Sequence, residues 1–248
     1  MKAMIFAAGL GSRLKPFTLE HPKALVPVGG IPMLQRVIYN IADAGITEIV
    51  VNVHHFAPQI IDFLHANGNF GLDIKISDES ASLLDTGGGL LKARRLLERG
   101  GEPVLLHNAD ILCDMPLSGM IEAHLHDNAD VTLLCSHRKS SRTLYFNPSD
   151  KRLLGWENLS TGERKPAGFT PAPDSDAIPF GGVHIVNPTM FPLLEEYAGG
   201  KEAPFSIVPF YLANLSRLDI MRYLLPQGCR WFDVGSSDKL ANAEKSFT

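Results

Sequence analysis

Three cations, Arg13, Lys15 and Lys23, lie on one stretch of the chain that directly follows the apolar run KAMIFA. Two glycines, Gly9 and Gly11, stand just before them. Glycine permits a positive φ and lets backbone N–H groups approach a ligand closely. Arginine adds a forked set of donors and lysine a mobile point charge, and both suit phosphate. The segment predicts a loop that binds a polyanion through Arg13 and Lys23, with Lys15 in solvent.

Two common phosphate-binding motifs are excluded by this loop. A Walker A loop requires Gly-Lys-Ser/Thr, whereas Gly11 is followed here by Ser12 and Arg13. A dinucleotide fingerprint has a third glycine where Leu14 stands, and it leads directly into a helix, which Pro16 and the later prolines prevent. We therefore expect side chains, and not a helix N-terminus, to neutralise the anion.

Two carboxylates each follow an apolar run: Asp110 in PVLLHNAD and Asp233 in WFD. A carboxylate at the end of a buried strand is costly unless it is paired or bound to a metal. Each one alone is also typical of a turn or a helix cap. Because Mg²⁺ prefers one or two carboxylates together with phosphate oxygens, the two acids and the cationic loop together favour a magnesium site.

The elements that must position these residues alternate between strand and helix. This pattern predicts an α/β fold with a doubly wound, mostly parallel sheet, and ligands bind such sheets at the carboxyl ends of the strands, where residues 8–23 lie. The predicted strands and helices of the first half are 2–7, 33–45, 47–53, 57–68, 72–77, 86–101 and 103–111. Beyond residue 140 the chain predicts a hairpin over 142–157, strands at 179–186 and 217–225, helices near 188–198 and 205–215, and a strand, loop and helix over 231–247. The segment 165–179 is expected to be a mobile loop.

Composition sets broad limits on function. The chain is 45% hydrophobic and 20% charged, as in a globular protein with a core, and its net charge of −4 gives no reason to expect nucleic acid as a partner. No apolar run approaches the ~18 residues of a membrane span, and the N-terminus lacks the pattern of a signal peptide. Three cysteines without CxxC spacing indicate reduced thiols, so we expect a cytoplasmic protein that does not bind membranes.

The stretch FAAGLGSRLKPFTLEHPKALVPVGGIPML resembles the signature of the sugar-1-phosphate nucleotidyltransferases, in which A-A-G-x-G-x-R-L-x-P-x-T is followed by P-K-x-L-x-P. Four further family landmarks follow in order: LLDTGGGL, LLHNADI, PFGGVHIV and WFDVGSSDKL. The resemblance covers essentially the whole chain. It is strongest to the short form, which includes the N-acetylmuramate-1-phosphate uridylyltransferases, with short mannose- and glucose-1-phosphate enzymes as competitors.

The resemblance implies a Rossmann-like sheet of the glycosyltransferase-A type, with a small antiparallel elaboration, in one domain over 1–248. Residues 1–135 would form the nucleotide-binding half and 136–248 the sugar-binding half. It further implies Mg²⁺ as cofactor, a nucleoside triphosphate and a sugar-1-phosphate as substrates, and a monomer or weak dimer. UTP is the expected nucleotide.

The resemblance also implies roles for individual residues. Arg13 would hold the β- and γ-phosphates, and Lys23 would bridge toward the reacting phosphate. The implied nucleotide-binding residues are Ala8, Gly9, Gly11, Ser12, Arg13, Lys23, Thr86 and Gly87. The implied sugar-binding residues are Asn108 and Gly182, and the implied metal ligands are Asp110 and Asp233. If the sugar is muramic acid, its lactyl carboxylate favours a nearby cation from among Arg142, Arg164 and Lys165.

The implied reaction needs no general base, because a phosphate monoester with a second pKa of ~6 is already mostly dianionic near neutral pH. The obstacle is repulsion between two polyanions. A cation ~4 Å from a phosphate oxygen contributes about 4 kcal/mol at an effective dielectric of 20, so Arg13, Lys23 and a divalent ion could supply much of the catalysis.

Two other functions stay open. A glycosyltransferase uses a similar sheet, but Asn108 stands where many such enzymes have the first acid of a D-x-D pair. A non-catalytic sensor of sugar nucleotides would not need the full set of cations and acids.

Overall fold

The computed structural model describes residues 1–247. Its strands are β1 (Lys2–Phe6), β2 (Pro27–Val28), β3 (Ile31–Pro32), β4 (Glu48–Val53), β5 (Asp73–Asp78), β6 (Val104–Asn108), β7 (Ile111–Cys113), β8 (Val131–Cys135), β9 (Arg142–Phe146), β10 (Leu153–Asn158), β11 (Glu163–Lys165), β12 (Asp176–Ile178), β13 (Phe180–Val186), β14 (Ile220–Leu224) and β15 (Trp231–Asp233). Its α-helices are α1 (Met33–Asp43), α2 (Ala57–Ala66), α3 (Asp85–Leu97), α4 (Leu117–Asp127), α5 (Phe191–Tyr197), α6 (Ile207–Ala213) and α7 (Ser237–Phe247). Short 3₁₀ turns cover Phe17–Leu19, Lys23–Leu25, Gly68–Gly71 and Pro188–Met190.

The central sheet has seven strands in the order β14-β8-β13-β6-β1-β4-β5. Strands β5, β4, β1 and β6 run parallel, and β14 is parallel to β8. Only β13 is antiparallel to its neighbours, β6 and β8. The mostly parallel α/β sheet predicted from the sequence is therefore confirmed.

Two hydrophobic cores cover the two faces of this sheet. In β1 the residues alternate between them: Ala3 and Ile5 belong to the core beneath α1, α2 and α4, whereas Met4 belongs to the core beneath α3, α5 and α6. This is why the first strand reads as a continuous apolar run, since both of its faces are buried. β13 and β14, from the second predicted half, extend the same sheet as the strands of the first half, and the assignment of one substrate to each half stays a prediction.

The second half of the chain adds a four-stranded antiparallel sheet in the order β11-β10-β9-β12. The hairpin predicted over 142–157 is confirmed as β9 and β10. The expectation that 165–179 is only a loop is wrong, because β12 lies within it and pairs with β9. Strands of three residues on a sheet edge carry too little alternation to be recognised in a sequence.

The predicted strand over 103–111 is divided in the structure. β6 ends at Asn108, the chain turns at Ala109 and Asp110, and β7 leaves the central sheet to pair with β15. This turn places Asp110 at the carboxyl end of a central strand.

Within the described residues no helix is both long enough and apolar enough to span a bilayer, and all three cysteines are free thiols.

Candidate active site

A cavity of about 460 Å³ lies at the carboxyl ends of β1, β4 and β6. Residues that follow β1, the turn after β6, and the segment leading into α3 form its walls. They are Phe6, Ala7, Ala8, Gly9, Lys23, Ala24, Asn52, Glu79, Leu83, Asp85, Thr86, Asn108, Ala109, Asp110 and Pro204. The cavity is where a parallel sheet is expected to bind its ligand.

Lys23 and Asp110 form an ion pair at this cavity, with 14% and 27% of their side chains exposed. Gly11 explains how the loop reaches this arrangement. Its φ is +65°, and a Cβ there would lie 2.8 Å from both the Cβ of Lys23 and the Cγ2 of Thr18. Thr18 also donates a hydrogen bond from its hydroxyl to the Gly11 carbonyl, at 2.8 Å. A side chain at Gly11 would therefore push Lys23 away from Asp110.

The pairing of β7 with β15 brings the two predicted metal ligands to neighbouring strands. The Val234 N–H donates to the Asp110 carbonyl at 2.8 Å, and Asp233 lies opposite Ile111. The Asp233 carboxylate forms an ion pair with Lys239.

Arg13 lies beside Asp233 across Gly235. A Cβ on Gly235 would lie 2.7 Å from the Asp233 Oδ1 and 3.1 Å from the Arg13 Nη2, so both side chains lie against this glycine. Each of the two predicted cations thus lies close to one of the two predicted acids.

The chemistry of these donors fits Mg²⁺. Across residues 1–247 no group of three or more histidine, cysteine or acidic side chains is placed to hold a metal. A structural zinc site usually needs four such ligands. Two carboxylates that leave the remaining positions to phosphate oxygens and water are what Mg²⁺ prefers. Lys23 and Lys239 neutralise these carboxylates in the structure, so a divalent ion would exchange for ammonium groups.

A buried polar pair, Asn52 and Glu79, forms the floor of the cavity. Asn52 accepts a hydrogen bond from the Ala7 N–H at 2.7 Å and donates one to the Glu79 carboxylate at 2.7 Å. The other carboxylate oxygen accepts from the Leu84 N–H at 3.1 Å. Burial raises the pKa of Glu79, and the bonds from Asn52 and Leu84 oppose that rise. The pair therefore joins the loop after β1 to the segment that begins α3.

The glycine run in α3 serves packing around this pair. A Cβ on Gly89 would lie 2.6 Å from the Glu79 Oε1, and the Gly87 N–H donates to the Phe205 carbonyl at 2.8 Å. Gly87 is therefore packed against Phe205 and does not line the cavity. Thr86 does line it, while its hydroxyl accepts from the Ile207 N–H at 3.0 Å.

The two predicted sugar-binding residues are in contact. Gly182 has a φ of +76°, and a Cβ there would lie 3.0 Å from the Asn108 Nδ2 and 2.8 Å from the Ile111 Cγ1. Glycine at this position lets β13 approach the turn after β6. Asn108 itself lines the cavity.

The structure thus sorts the predicted site residues by place. Those that line the cavity are Ala8, Gly9, Lys23, Thr86, Asn108 and Asp110. Those beside it are Gly11, Arg13, Gly182 and Asp233, whereas Ser12 is exposed and Gly87 is packed away from it. Their roles toward substrate stay predictions. Sequence reasoning missed Asn52, although a buried amide near the end of the apolar run EIVVNV was a usable signal.

The family model for nucleotidyl transferases matches residues 2–248. The chain belongs to this family. The nucleotidyltransferase is 31% identical to the N-acetylmuramate alpha-1-phosphate uridylyltransferase of Caulobacter vibrioides, over 98% of this chain and 95% of the relative. It is 34% identical to the protein of the same name from Neisseria meningitidis serogroup B, over 98% and 97%. A mannose-1-phosphate guanyltransferase of Yarrowia lipolytica is 30% identical over 79% of this chain and 52% of that protein.

Solved structures share the fold. A protein of Bacillus anthracis described as a glucose-1-phosphate thymidylyltransferase, in complex with a sucrose, superposes with a TM-score of 0.82 at 19% identity, over 100% of this chain and 95% of that one. HddC from Yersinia pseudotuberculosis complexed with GMP-PN has a TM-score of 0.74 at 21% identity, over 100% and 99%. The nucleotidyltransferase therefore has a Rossmann-like fold, and its reaction transfers a nucleotidyl group onto a sugar-1-phosphate.

We expect Asn52→Ala to lower the free energy of unfolding by about 1–3 kcal/mol, because it leaves the Ala7 N–H and the buried Oε1 of Glu79 without a partner, while Oε2 keeps its bond from the Leu84 N–H. Urea denaturation at pH 7 measures this loss. Asn67→Ala is the matched control, because the Asn67 amide donates to the Phe63 carbonyl on the surface. Equal stability of the two variants would contradict a structural role for the pair.

Proposed function

We propose that the enzyme transfers the uridylyl group of UTP to N-acetylmuramate-1-phosphate, giving UDP-N-acetylmuramate and pyrophosphate. The observation that supports nucleotidyl transfer at this cavity is the placement of Lys23 on Asp110 and of Arg13 beside Asp233. The choice of substrates is supported by the two uridylyltransferase relatives, which match this chain over nearly their whole length.

The side chains of the enzyme would neutralise the negative charge of the two substrates and hold the reacting phosphates in place. A sugar-1-phosphate oxygen forms a bond to the α-phosphorus while the bond from the α-phosphorus to the bridging oxygen of pyrophosphate breaks. Lys23 has a long side chain at the cavity and can contact a phosphate oxygen, and Arg13 can bind the departing phosphates with its fork of donors. Mg²⁺ held by Asp110 and Asp233 would supply further neutralising charge.

No proton transfer by a histidine is required. His107 lies in β6, close to the turn at Ala109 and Asp110, but it is buried and does not line the candidate active site. Burial lowers its pKa to about 4, so it is neutral at pH 7. The sugar phosphate already carries the charge it needs to attack.

Mannose-1-phosphate guanylyl transfer and glucose-1-phosphate uridylyl or thymidylyl transfer are the second candidates. Relatives named for the mannose reaction are 30–34% identical, but the chain covers only 52% of the first of them and 37% of others. Glycosyl transfer is less favoured, since it leaves Arg13 and Lys23 without a triphosphate to bind.

Uridylyl transfer to N-acetylmuramate-1-phosphate would place the enzyme in cell-wall recycling in the cytoplasm, and a monomer or weak dimer stays the expected form.

The proposal is tested by measuring pyrophosphate release with UTP, GTP, dTTP and CTP against N-acetylmuramate-, mannose- and glucose-1-phosphate in the presence of Mg²⁺. We expect the highest kcat/KM for UTP with N-acetylmuramate-1-phosphate. A tenfold preference for GTP with mannose-1-phosphate would move the enzyme to guanylyl transfer. Absence of pyrophosphate with every pair would refute nucleotidyl transfer.

We expect Lys23→Ala to lower kcat at least 100-fold while the protein stays folded, because the variant removes a charge worth several kcal/mol at a phosphate. Lys15→Ala is the matched control, since Lys15 is an exposed cation on the same loop and lies outside the cavity. Steady-state kinetics and circular dichroism of both variants provide the measurement. Turnover of Lys23→Ala within a few-fold of wild type would remove Lys23 from the mechanism.

We expect Asp110→Asn and Asp233→Asn each to abolish most of the activity and to weaken the binding of Mn²⁺, used as a probe for Mg²⁺ and followed by electron paramagnetic resonance. The double variant should be little worse than either single one, because groups that act as a unit are not additive. The exposed Asp174 provides the control, Asp174→Asn. Multiplicative losses of activity in the double variant, or Mn²⁺ binding that survives both changes, would argue against a shared ion.

A further inference from the structure

A second cavity, of about 470 Å³, lies between the four-stranded sheet, the start of β13 in the central sheet and helix α6. Strands β9, β10, β11 and β13 and helix α6 contribute to its walls. The charged side chains among its lining residues are Arg138, Arg142, Lys165 and Glu163. Three cations against one acid leave a net charge of +2 in the cavity, although the whole chain carries −4.

The cations of this basic cavity have unused capacity to bind an anion. The Arg142 side chain makes no hydrogen bond or ion pair within residues 1–247, and it is exposed. Arg138 forms no ion pair within the described residues; it donates from Nη2 to the Phe180 carbonyl at 2.5 Å, and its Nε is buried without a hydrogen-bond partner there. Lys165 pairs with Glu163 at 3.2 Å and lies 5.5 Å from the centre of the Trp156 ring.

The basic cavity adjoins the candidate active site. The Arg138 guanidinium lies 4.3 Å from the centre of the Trp231 ring, in the strand that ends at Asp233. Burial lowers the pKa of Arg138, and the nearby Asp233 carboxylate opposes this shift. On the other side, Phe180 begins β13, which packs Gly182 against Asn108. The basic cavity therefore lies next to the place that a sugar would occupy if its C1 phosphate were near Asp110 and Asp233.

A neighbouring cation has a different environment. Arg164 lies next to Lys165 on β11, but its Nε donates to Glu157 at 3.0 Å, and it does not line the basic cavity. Glu157 also accepts a hydrogen bond from the Tyr145 hydroxyl at 2.6 Å. The structure thus distinguishes between the three cations that the sequence offered for a sugar carboxylate: Arg142 and Lys165 face the cavity, and Arg164 is already paired.

We propose that the basic cavity binds a carboxylate carried by the sugar ring, with Arg142 and Arg138 as its direct partners, so that the enzyme selects acidic over neutral hexosamine-1-phosphates. The proposal rests on the proposed function, because it assigns the acceptor sugar of that reaction to this side of the active site. An unpaired arginine gains most from a carboxylate, which accepts two parallel hydrogen bonds from one guanidinium. Trp156 and Phe180 provide apolar surface for the rest of the substituent.

N-acetylmuramate-1-phosphate and N-acetylglucosamine-1-phosphate form a matched pair of substrates, because they differ only in the lactyl ether and its carboxylate. With UTP, we expect wild type to prefer the acidic sugar. Arg142→Ala should lower the ratio of the two kcat/KM values at least tenfold, mainly through KM for the acidic sugar, and Arg142→Lys should restore part of it. Arg164→Ala should leave the ratio unchanged. An unchanged ratio in Arg142→Ala would overturn the proposal.

Binding of the free sugars separates this proposal from the proposed function. Ligand-detected NMR should show N-acetylmuramate binding to wild type more tightly than N-acetylglucosamine, and Arg142→Ala should remove the difference. If no pyrophosphate forms with any substrate, this result would still support a carboxylate site while uridylyl transfer fails. Equal binding of the two sugars by wild type, or a preference that survives Arg142→Ala, would overturn the carboxylate site whatever the turnover.

Discussion

The arrangement of the candidate active site depends on the ion pairs that neutralise two carboxylates. Two carboxylates from distant parts of the chain, Asp110 and Asp233, reach neighbouring strands, and the expected ligands are polyanions. Like charges in this arrangement would destabilise the fold without counter-ions. Lys23 and Lys239 therefore neutralise the two acids in the protein itself, and Arg13 lies near the second acid, across Gly235. If Mg²⁺ binds to Asp110 and Asp233 as proposed, it would take the place of these two ammonium groups, and Lys23 would then be free to contact a phosphate at the cavity.

The buried Asn52–Glu79 pair joins the segments that form the wall of this cavity. A carboxylate that is wholly buried costs free energy unless its oxygens are satisfied, and here both are. The pair ties the loop after β1 to the start of α3, and Gly89 allows the helix to pass close to the carboxylate.

The sequence predicts the sheet well because its first strands are buried on both faces and its helices have one apolar face. It also predicts the cationic loop, from its glycines and cations, and the two acids, because a carboxylate is costly at the end of an apolar strand. It fails where the signal is short or three-dimensional. β12 has only three residues, and the turn at Asp110 follows from the pairing of β7 with β15, which no local pattern encodes. Gly87 is predicted to bind the nucleotide, but in the structure Phe205, from a distant segment, packs against it.

The distribution of charge links the two cavities. A chain with a net charge of −4 repels free phosphates at long range, so specificity must come from local groups that are within a few ångströms of the ligand. The first cavity is lined by one cation, Lys23, which is paired with Asp110, and by the acids Glu79 and Asp85. The second carries unmatched arginines and no metal-binding acids among its lining residues other than the paired Glu163. A fixed anion on the sugar is the ligand that balances this excess, and the boundary between the cavities lies at Arg138, which contacts the strand of Asp233 on one side and lines the basic cavity on the other.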